Sequence, residues 1–291
     1  MSLRSDLESG KFAITAEIGP GKGTDVTEIA EVAEILRGRV TAANVTDQQS
    51  SVMRLGSLAT CHLLTDHHLE PILQMTCRDR NRIALQSDLL SAWVLGVQNV
   101  LALTGDLPHL GDHKDAIGVY DLDSVQLLSV ISRLNEGYDM MGNELNGKPD
   151  FYAGAVVNPG ADTEASFDMQ LRKMEKKIKA GAKFFQTQAV YEPEKFERFM
   201  KRVEGFGVPV MAGVIPLKSV GMARYMNKNV SGVFVPEETI QRLAAAEDKT
   251  QAGIDLCAEL IRDLKDLCQG IHIMPIGWEK RVPEILDKAG L

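Results

Sequence analysis

The segment on which the fold prediction rests reads Asn99-Val-Leu-Ala-Leu-Thr-Gly-Asp-Leu-Pro108. Its apolar run predicts a buried parallel strand, because strands that are covered on both faces are almost continuously hydrophobic. Thr104 and Gly105 end the strand, and the carboxylate of Asp106 follows directly. Ligands of α/β proteins bind at the carboxyl ends of such strands, which makes Asp106 a candidate site residue. The alternative is that Asp106 only caps a helix or a turn.

The same pattern, a short apolar run followed by turn residues and then a helix, recurs along the chain. It predicts strands at residues 12–18, 40–45, 71–76, 99–103, 151–157, 183–188, 209–215 and 270–274. It predicts helices at residues 24–36, 54–64, 82–95, 123–135, 165–180, 193–204, 219–227, 236–246, 251–268 and 279–289. Eight strands, each followed by a helix, predict an α/β fold, a single (β/α)8 TIM barrel over residues 1–291. A doubly wound sheet is the alternative, and it is disfavoured because no G-x-G-x-x-G follows the first strand.

Composition excludes several classes of protein. Hydrophobic residues make up 44% and charged residues 25% of the chain, which is typical of a globular protein. The net charge of −8 and the lack of a Lys/Arg cluster argue against nucleic-acid binding. No apolar run is long enough for a transmembrane helix, and residues 1–10 are too polar for a signal peptide. We therefore expect no membrane association and a cytoplasmic location.

The cysteines predict no metal centre in this chain. Cys61, Cys77, Cys257 and Cys268 form no CxxC pair. Zinc and iron–sulfur sites usually need such closely spaced ligands. Reduced, buried thiols are the better interpretation.

Polar residues at the strand ends are considered together, because all strand ends of a barrel meet at one mouth. The candidates are Glu17, Thr46, Asp47, Gln74, Thr76, Arg78, Asp106, Asn158, Gln186, Gln188, Lys218 and His272. Glu17 and Asp106 are candidates for an acid/base pair in which burial keeps one protonated and hydrogen bonds keep the other ionised. The alternative is that both are satisfied internal polar groups. Gln186 and Gln188 should share a face, where amides suit a heterocycle edge or form a polar interior layer.

Five motifs resemble the methylenetetrahydrofolate reductase family over nearly the whole chain. Residues 102–108, Ala-Leu-Thr-Gly-Asp-Leu-Pro, resemble its ALRGDLP loop. The others are residues 15–20 (its FEFFPP region), 75–77 (LTC), 180–182 with 187–188 (AGA…TQ) and 213–216 (GILP). Each motif alone is weak, but all five occur in order at the predicted strand ends. Residues 77–82, Cys-Arg-Asp-Arg-Asn-Arg, resemble a bacterial and archaeal branch of the family.

The resemblance implies a reaction and roles for three residues. The family binds a non-covalent flavin, FAD or FMN, whose reduced form passes a hydride to 5,10-methylenetetrahydrofolate and yields 5-methyltetrahydrofolate. Glu17 then corresponds to the general acid that protonates N10 of the folate. Asp106 corresponds to a carboxylate beside the flavin and the pterin. Gln188 corresponds to a glutamine that positions the folate.

The resemblance also implies cofactor contacts. Thr46 corresponds to a flavin-contacting threonine, and Lys177 to a lysine on the phosphate side of the flavin. Gln74, Thr76 and Asn158 complete the expected cofactor-binding set, together with Asp106. For Lys177 the alternative is a solvated charge on a helix.

Two departures from the family concern the electron donor and the flavin contacts. Gln74 stands where the family has histidine, and Ala189-Val190-Tyr191 replaces an aromatic-rich turn that stacks nicotinamide and folate. NAD(P)H is the donor that the family implies. The alternative is a flavin-binding barrel subunit that takes electrons from a separate zinc or iron–sulfur partner chain in an oligomeric one-carbon redox complex.

Two further functions remain as alternatives. The first is a non-catalytic or electron-relay subunit that keeps the barrel and the flavin. The second is an unrelated barrel lyase or aldolase. That function is disfavoured because no Schiff-base lysine stands at a strand end and Lys218 lies in a loop after Pro216.

Overall fold

Eight parallel strands close into a barrel in the computed structural model, which describes residues 2–161 and 163–291. The strands are β1 (Ala13–Ile18), β2 (Ala42–Val45), β3 (Pro71–Thr76), β4 (Asn99–Leu103), β5 (Tyr152–Val157), β6 (Phe184–Ala189), β7 (Val210–Val214) and β8 (Gly270–Ile273). Each strand pairs with the next one, and β8 pairs with β1. The predicted TIM barrel is therefore confirmed, and the doubly wound alternative is wrong.

Helices surround the barrel. They are α1 (Leu3–Glu8), α2 (Thr27–Leu36), α3 (Ser57–Asp66), α4 (Arg82–Val94), α5 (Ser124–Glu136), α6 (Glu164–Lys179), α7 (Pro193–Val203), α8 (Val220–Asn229), α9 (Glu237–Ala245), α10 (Lys249–Leu264) and α11 (Val282–Ala289). Local sequence explains their ends. Asp123 and Gln126 form a capping box at the start of α5, and Gly137, with φ of +97°, ends that helix.

Several predicted helix boundaries are wrong by a few residues, including the start of the last helix, which was predicted at residue 279 and lies at Val282. The first helix starts at Thr27 and not at residue 24 or 25, although the Asp25 side chain accepts a hydrogen bond from the Thr27 amide. The helix predicted from residue 54 starts at Ser57. The helix predicted at 251–268 spans Lys249–Leu264, because Asp248 caps it and accepts from the amides of the first turn.

The amino end of the barrel is closed by α1, which the sequence analysis did not predict. Leu3 and Leu7 of this helix are buried against an apolar layer of inward-facing strand residues. In that layer the rings of Tyr152 and Phe184 stack at 5.3 Å between centroids. Gly154 makes room for them, since a Cβ there would lie 2.3 Å from the Phe184 ring. This end therefore holds a dry core, and a ligand must enter from the other end.

A buried polar layer lies above the apolar one. Asn44 and Gln186 exchange two hydrogen bonds of 2.8 and 3.0 Å, and the Gln186 amide also donates to Thr15 Oγ1 at 3.2 Å. His272 Nδ1 lies 2.9 Å from the same Thr15 oxygen. The polar-layer interpretation of Gln186 is therefore confirmed, and this layer forms the floor of the carboxyl-terminal mouth.

The interpretation of the cysteines as buried thiols is confirmed, because Cys61, Cys77, Cys257 and Cys268 are all free and buried. Among the described residues, no group of three or more His, Cys, Asp or Glu side chains is arranged to hold a metal ion. Within 2–161 and 163–291, none of the helices has the length and apolar character needed to cross a membrane.

Candidate active site

A cavity of about 340 Å³ opens at the carboxyl ends of the strands and is here called the mouth cavity. Its polar lining includes Glu17, Asp47, Gln74, Thr76, Arg78, Asp106, Gln186, Gln188 and His272, and its apolar lining includes Leu101, Leu103, Val156 and Met274. Five of the eight predicted site residues thus come together here: Glu17, Gln74, Thr76, Asp106 and Gln188. The volume lies within the range typical of small-molecule sites.

Glu17 is an acid held on a rigid strand. Its side chain is only 12% exposed, and Gln74 Nε2 donates to its Oε1 atom at 2.7 Å. His272 Nε2 lies 3.7 Å from that same oxygen. In the described chain the second oxygen, Oε2, accepts no hydrogen bond. The carboxyl group is therefore anchored through one oxygen and keeps the other for a ligand.

Asp106 lies on the loop after β4 and is exposed. The loop is fastened through its backbone, since the Asp106 carbonyl accepts from Tyr120 Oη at 2.7 Å and from Ser51 Oγ at 3.1 Å. The carboxylate itself makes no hydrogen bond to the residues that the structure describes. The short helix that follows has Leu107 at its N-cap, without a side-chain cap. The capping alternative for Asp106 is therefore wrong.

Asp47 ties the ends of β2 and β3 together. Its side chain is fully buried and pairs with Arg80 at 2.7 Å. The amide and the hydroxyl of Thr76 both donate to it at 2.8 Å. Thr76 lines the mouth cavity. Its hydroxyl, however, is already used to hold the strand ends together.

Gln186, Thr187 and Gln188 all line the mouth cavity, so the lining does not test whether the two glutamines share a face of β6. The Gln186 side chain is used in the polar layer. The Gln188 side chain makes no hydrogen bond within the described residues and remains available to a ligand. The Thr187 hydroxyl between them donates to the Gln188 carbonyl at 2.7 Å and accepts from the Gly213 amide at 2.9 Å.

Thr46 lies outside the mouth cavity. It lines a second cavity of about 350 Å³, here called the side cavity, which shares Glu17 and Gln49 with the mouth cavity. Its hydroxyl is buried, with no hydrogen-bond partner among the described residues. A buried polar atom of this kind needs a partner, and the described residues do not supply one.

Asn158 also lies outside the mouth cavity. Its amide nitrogen donates to the Ser231 carbonyl at 3.2 Å, and its amide oxygen accepts from the Gly160 amide at 2.9 Å. A Cβ at Gly232 would lie 1.9 Å from that amide. Asn158 therefore braces the loop before α9.

Lys177 extends from α6 towards the barrel. Its ammonium donates to the Val156 carbonyl at 2.7 Å, and Val156 lines the mouth cavity. Burial, followed by the like charge of Lys173, lowers the pKa of Lys177 to about 8. The interpretation of Lys177 as a solvated helix charge is therefore wrong.

Three lining residues, Asp47, Arg78 and His272, were noted at strand ends in the sequence but received no role there. Arg78 is almost completely buried, and it donates to Ser51 Oγ at 3.1 Å and to Asp79 at 2.8 Å. It is the one Lys or Arg side chain in the described lining of the mouth cavity. The signal in the sequence was a charged run directly after a buried strand.

Residues 189–191 stand where the family resemblance implies an aromatic-rich turn, and they do not present an aromatic ring to the mouth cavity. Tyr191 is buried, and its hydroxyl donates to the Ile215 carbonyl at 2.7 Å. The described lining of the mouth cavity contains no Phe, Tyr or Trp. A planar ligand in this cavity would therefore meet aliphatic and polar side chains.

Comparison with known proteins gives relatives of one kind. Methylenetetrahydrofolate reductase 2 of Schizosaccharomyces pombe is 28% identical over 250 residues, which are 81% of this chain and 38% of that protein. Methylenetetrahydrofolate reductase (NADH) 1 of Arabidopsis thaliana is 26% identical over 77% of this chain and 38% of its own length. A 5,10-methylenetetrahydrofolate reductase of Pectobacterium carotovorum is 29% identical over 52% of this chain and 45% of its own length. The matches span less than half the length of these relatives.

Solved structures support the fold. A protein from Clostridium thermocellum, described as uncharacterized and as binding two copies of 5-methyl-5,6,7,8-tetrahydrofolic acid, matches with a TM-score of 0.67 and 18% identity. The match covers 99% of this chain and 97% of that one. A 2,3-dimethylmalate lyase matches at a TM-score of 0.54 and 12% identity, over 99% and 87% of the two chains. The family model for methylenetetrahydrofolate reductase matches residues 2–290, so the chain belongs to the methylenetetrahydrofolate reductase family.

Proposed function

We propose that this chain reduces 5,10-methylenetetrahydrofolate to 5-methyltetrahydrofolate, with Glu17 as the proton donor. The observation that carries the proposal is the arrangement of Glu17 in the mouth cavity. One carboxyl oxygen is anchored by Gln74 at 2.7 Å, and the other is unpaired among the described residues. A general acid needs this combination of a fixed position and an accessible oxygen. The family membership of residues 2–290 supports the choice of substrate.

The residues around the mouth fit a non-covalent flavin, FAD or FMN. Three polar groups can hold it: the unpartnered Thr46 hydroxyl, the unpaired Asp106 carboxylate and the Lys177 ammonium behind the cavity wall. Gln74 and Thr76 contribute to the wall, and Asn158 contributes indirectly through the loop that it braces. The bound, reduced flavin supplies the hydride in this reaction.

The side chains of this protein handle the proton and the charge. Glu17 transfers its proton to N10 of the folate, the N10–methylene bond breaks, and a carboxylate remains that still accepts from Gln74. The negative charge of Asp106 favours the cationic form of the substrate that accepts the hydride. The free amide of Gln188 can donate to and accept from the pterin edge. The hydride adds to the methylene carbon, which becomes the methyl group on N5, and the proton from Glu17 remains on N10.

The test measures flavin and turnover on the purified chain. The flavin is identified after release, and the chain is reconstituted with FMN or FAD where none is retained. The reduced protein is then mixed without oxygen with methylenetetrahydrofolate, and flavin absorbance and 5-methyltetrahydrofolate are followed. We expect one methyl product for each flavin reoxidised. Failure to take up flavin, or flavin that stays reduced, contradicts the proposal.

A second proposal concerns the electron donor. We infer that electrons reach the flavin from a separate zinc or iron–sulfur partner chain rather than directly from NAD(P)H. The described lining of the mouth cavity offers no Phe, Tyr or Trp on which a nicotinamide could stack. The loop after Asp106 also exposes Leu107, Leu110 and Ile117, and such apolar groups are common at protein interfaces.

This second proposal is tested by comparing electron donors on the flavin-loaded chain. We expect slow flavin reduction by NADH and NADPH and rapid reduction by a low-potential viologen dye. Reduction by NADH or NADPH as fast as turnover would contradict the proposal. It would leave the folate reaction itself unchanged.

A further inference from the structure

His272 lies between the polar layer and Glu17. It belongs to β8, is almost completely buried and lines the mouth cavity. Its Nδ1 atom is 2.9 Å from Thr15 Oγ1, and its Nε2 atom is 3.7 Å from Glu17 Oε1. The imidazole ring therefore connects the interior hydrogen-bond network to the carboxyl group that faces the ligand.

The network determines which ring nitrogen carries the proton. Gln186 Nε2 donates to Thr15 Oγ1 at 3.2 Å, and the same amide exchanges two hydrogen bonds with Asn44. Thr15 is completely buried, so its own hydroxyl proton needs an acceptor. Within the described residues that acceptor is His272 Nδ1. A neutral imidazole accepts at one nitrogen and donates at the other, so Nε2 carries the proton.

The Nε2 proton lies on the side of Glu17 Oε1, the oxygen that already accepts from Gln74 at 2.7 Å. Gln74 binds Oε1 and the Nε2 proton of His272 lies on the same side, so Oε2 is the oxygen left to carry the acidic proton. Once Glu17 has given up that proton, the same two donors stabilise the negative charge that remains. The 3.7 Å separation is longer than a hydrogen bond, and catalytic hydrogen bonds of ligand-free sites commonly shorten when the substrate binds.

We propose that His272 is a positioning residue that acts through Glu17. Its Nε2 proton orients the carboxyl group and stabilises the carboxylate that forms as the folate nitrogen is protonated. This role rests on the proposed folate reduction. It does not require any contact between His272 and the substrate.

The first experiment determines which ring nitrogen of His272 is protonated. Nitrogen NMR shifts of the His272 side chain, assigned by comparison with His272→Gln, report which nitrogen is protonated, and no turnover is needed. We expect a protonated Nε2 and an unprotonated Nδ1 in the wild-type protein. We expect a mixture of the two neutral forms in Thr15→Val, which removes the hydroxyl but preserves the shape. A wild-type ring protonated on Nδ1 overturns the inference.

The second experiment compares two substitutions of His272 in the flavin-loaded chain. The amide of His272→Gln places an N–H near the position of Nε2, whereas His272→Asn preserves only the Thr15 side. Loss of a hydrogen bond to a charged group should lower kcat in His272→Asn by about tenfold to hundredfold, with KM and flavin content unchanged. His272→Gln should recover most of that loss. Equal losses in the two variants overturn the inference.

A double-mutant cycle shows whether His272 acts through Glu17. In the Glu17→Gln background, His272→Asn should cause no further loss of kcat, because the carboxylate that it stabilises is gone. Independent, multiplicative losses overturn the proposal. A wild-type chain without folate turnover overturns the proposed function and with it the catalytic role of His272. Normal turnover with a proton on Nδ1 overturns only the inference about His272.

Discussion

Glu17 and Asp106 are the two carboxylates of the mouth cavity, and they are held in opposite ways. Glu17 lies on a strand, is largely buried, and its side chain is bound by Gln74. Asp106 lies on a loop and is exposed, and only its backbone is bound, by Tyr120 and Ser51. Glu17 thus has a fixed side chain, whereas Asp106 has a fixed backbone and a free side chain.

This difference suits the two carboxylates to two different roles. A proton donor must be aligned to within tenths of an ångström with the atom that it protonates, and a strand surrounded by a hydrogen-bonded layer provides that precision. A charge that stabilises a cation acts over a longer range and tolerates movement, so a loop is sufficient. The predictions below test this division, and their expected effects decrease in order.

The largest effect should come from Glu17→Gln. The amide preserves the shape and can still bind Gln74, but it has no acidic proton to give. Turnover of methylenetetrahydrofolate should fall by about 10²–10⁴-fold, the range of general acid catalysis. Flavin content should not change. Stopped-flow reoxidation of the reduced flavin measures this rate, and Glu31→Gln, an exposed change on α2, is the control. Turnover within about twofold of the wild type would assign the proton to another group.

Gly105→Ala should disturb the Asp106 loop without changing any charge. Gly105 has φ of +94°, and a Cβ there would lie 2.9 Å from Arg78 Cβ. The left-handed backbone and the close contact should lower the free energy of unfolding by about 1–3 kcal/mol, measured by denaturant titration. Gly142→Ala is the matched control, because Gly142 has φ of +88° with nothing within 4 Å of its added Cβ. Equal losses in both variants would show that the contact with Arg78 has no effect.

Asp106→Asn should have a smaller effect of a different kind. The substitution preserves size and the backbone contacts but removes the charge. A neutral hydrogen bond is about half as strong as a charge-assisted one, so flavin affinity or folate turnover should fall by about tenfold. Fluorescence titration and the turnover assay measure the two quantities. Asp115→Asn, on the same loop but outside the mouth lining, serves as the control. If both quantities match the wild type, Asp106 is not a site residue.

The smallest effect should depend on pH and on Lys177. The pKa of this lysine is lowered to about 8, so the ammonium is charged at neutral pH and loses its proton above about pH 8. A bound anion would raise the pKa of Lys177. The affinity for flavin therefore has its full value below about pH 8 and declines as the pH rises above that value. Lys177→Met should weaken flavin binding near neutral pH by about fivefold, the effect of about 1 kcal/mol.

The difference in flavin affinity between the wild type and Lys177→Met should become smaller as the pH rises, because the wild-type lysine side chain then becomes neutral as well. Flavin titrations over a range of pH values measure it, with Lys176→Met, an exposed neighbour on the same helix, as the control. A difference between wild type and Lys177→Met that stays constant above pH 8 would show that the charge is not involved.

Sequence periodicity was sufficient for the barrel and for much of the mouth. Buried parallel strands are recognisable because both of their faces are apolar, and turn residues mark where each one ends. The strand ends therefore predict that Glu17, Gln74, Thr76, Asp106 and Gln188 meet at one mouth, and all five line the mouth cavity. The amino-terminal helix α1 was missed because only two of its residues, Leu3 and Leu7, carry the apolar signal in a polar segment.

Tertiary contacts decided the state of each side chain. Thr76 and Asn158 were expected to bind a cofactor, yet their polar atoms are already used by Asp47 and by the Ser231 loop. Lys177 was open to interpretation as a surface charge, and only the approach of its ammonium to the Val156 carbonyl shows that it is an interior group. Such partners are distant in sequence, so local patterns contain no information about them.

The chain's own order of residues determined the eight strands, the shared mouth and the position of Glu17 and Asp106 at its rim, because these follow from local periodicity. The three-dimensional fold alone determined that Glu17 is anchored by Gln74, that His272 stands behind it, and that Asp106 is left unpaired among the described residues. The physical reason is that burial and hydrogen bonding are properties of neighbours in space. Glu17 on β1, Gln74 on β3 and His272 on β8 are neighbours of this kind. Gln74 lies 57 positions and His272 lies 255 positions after Glu17 in the sequence.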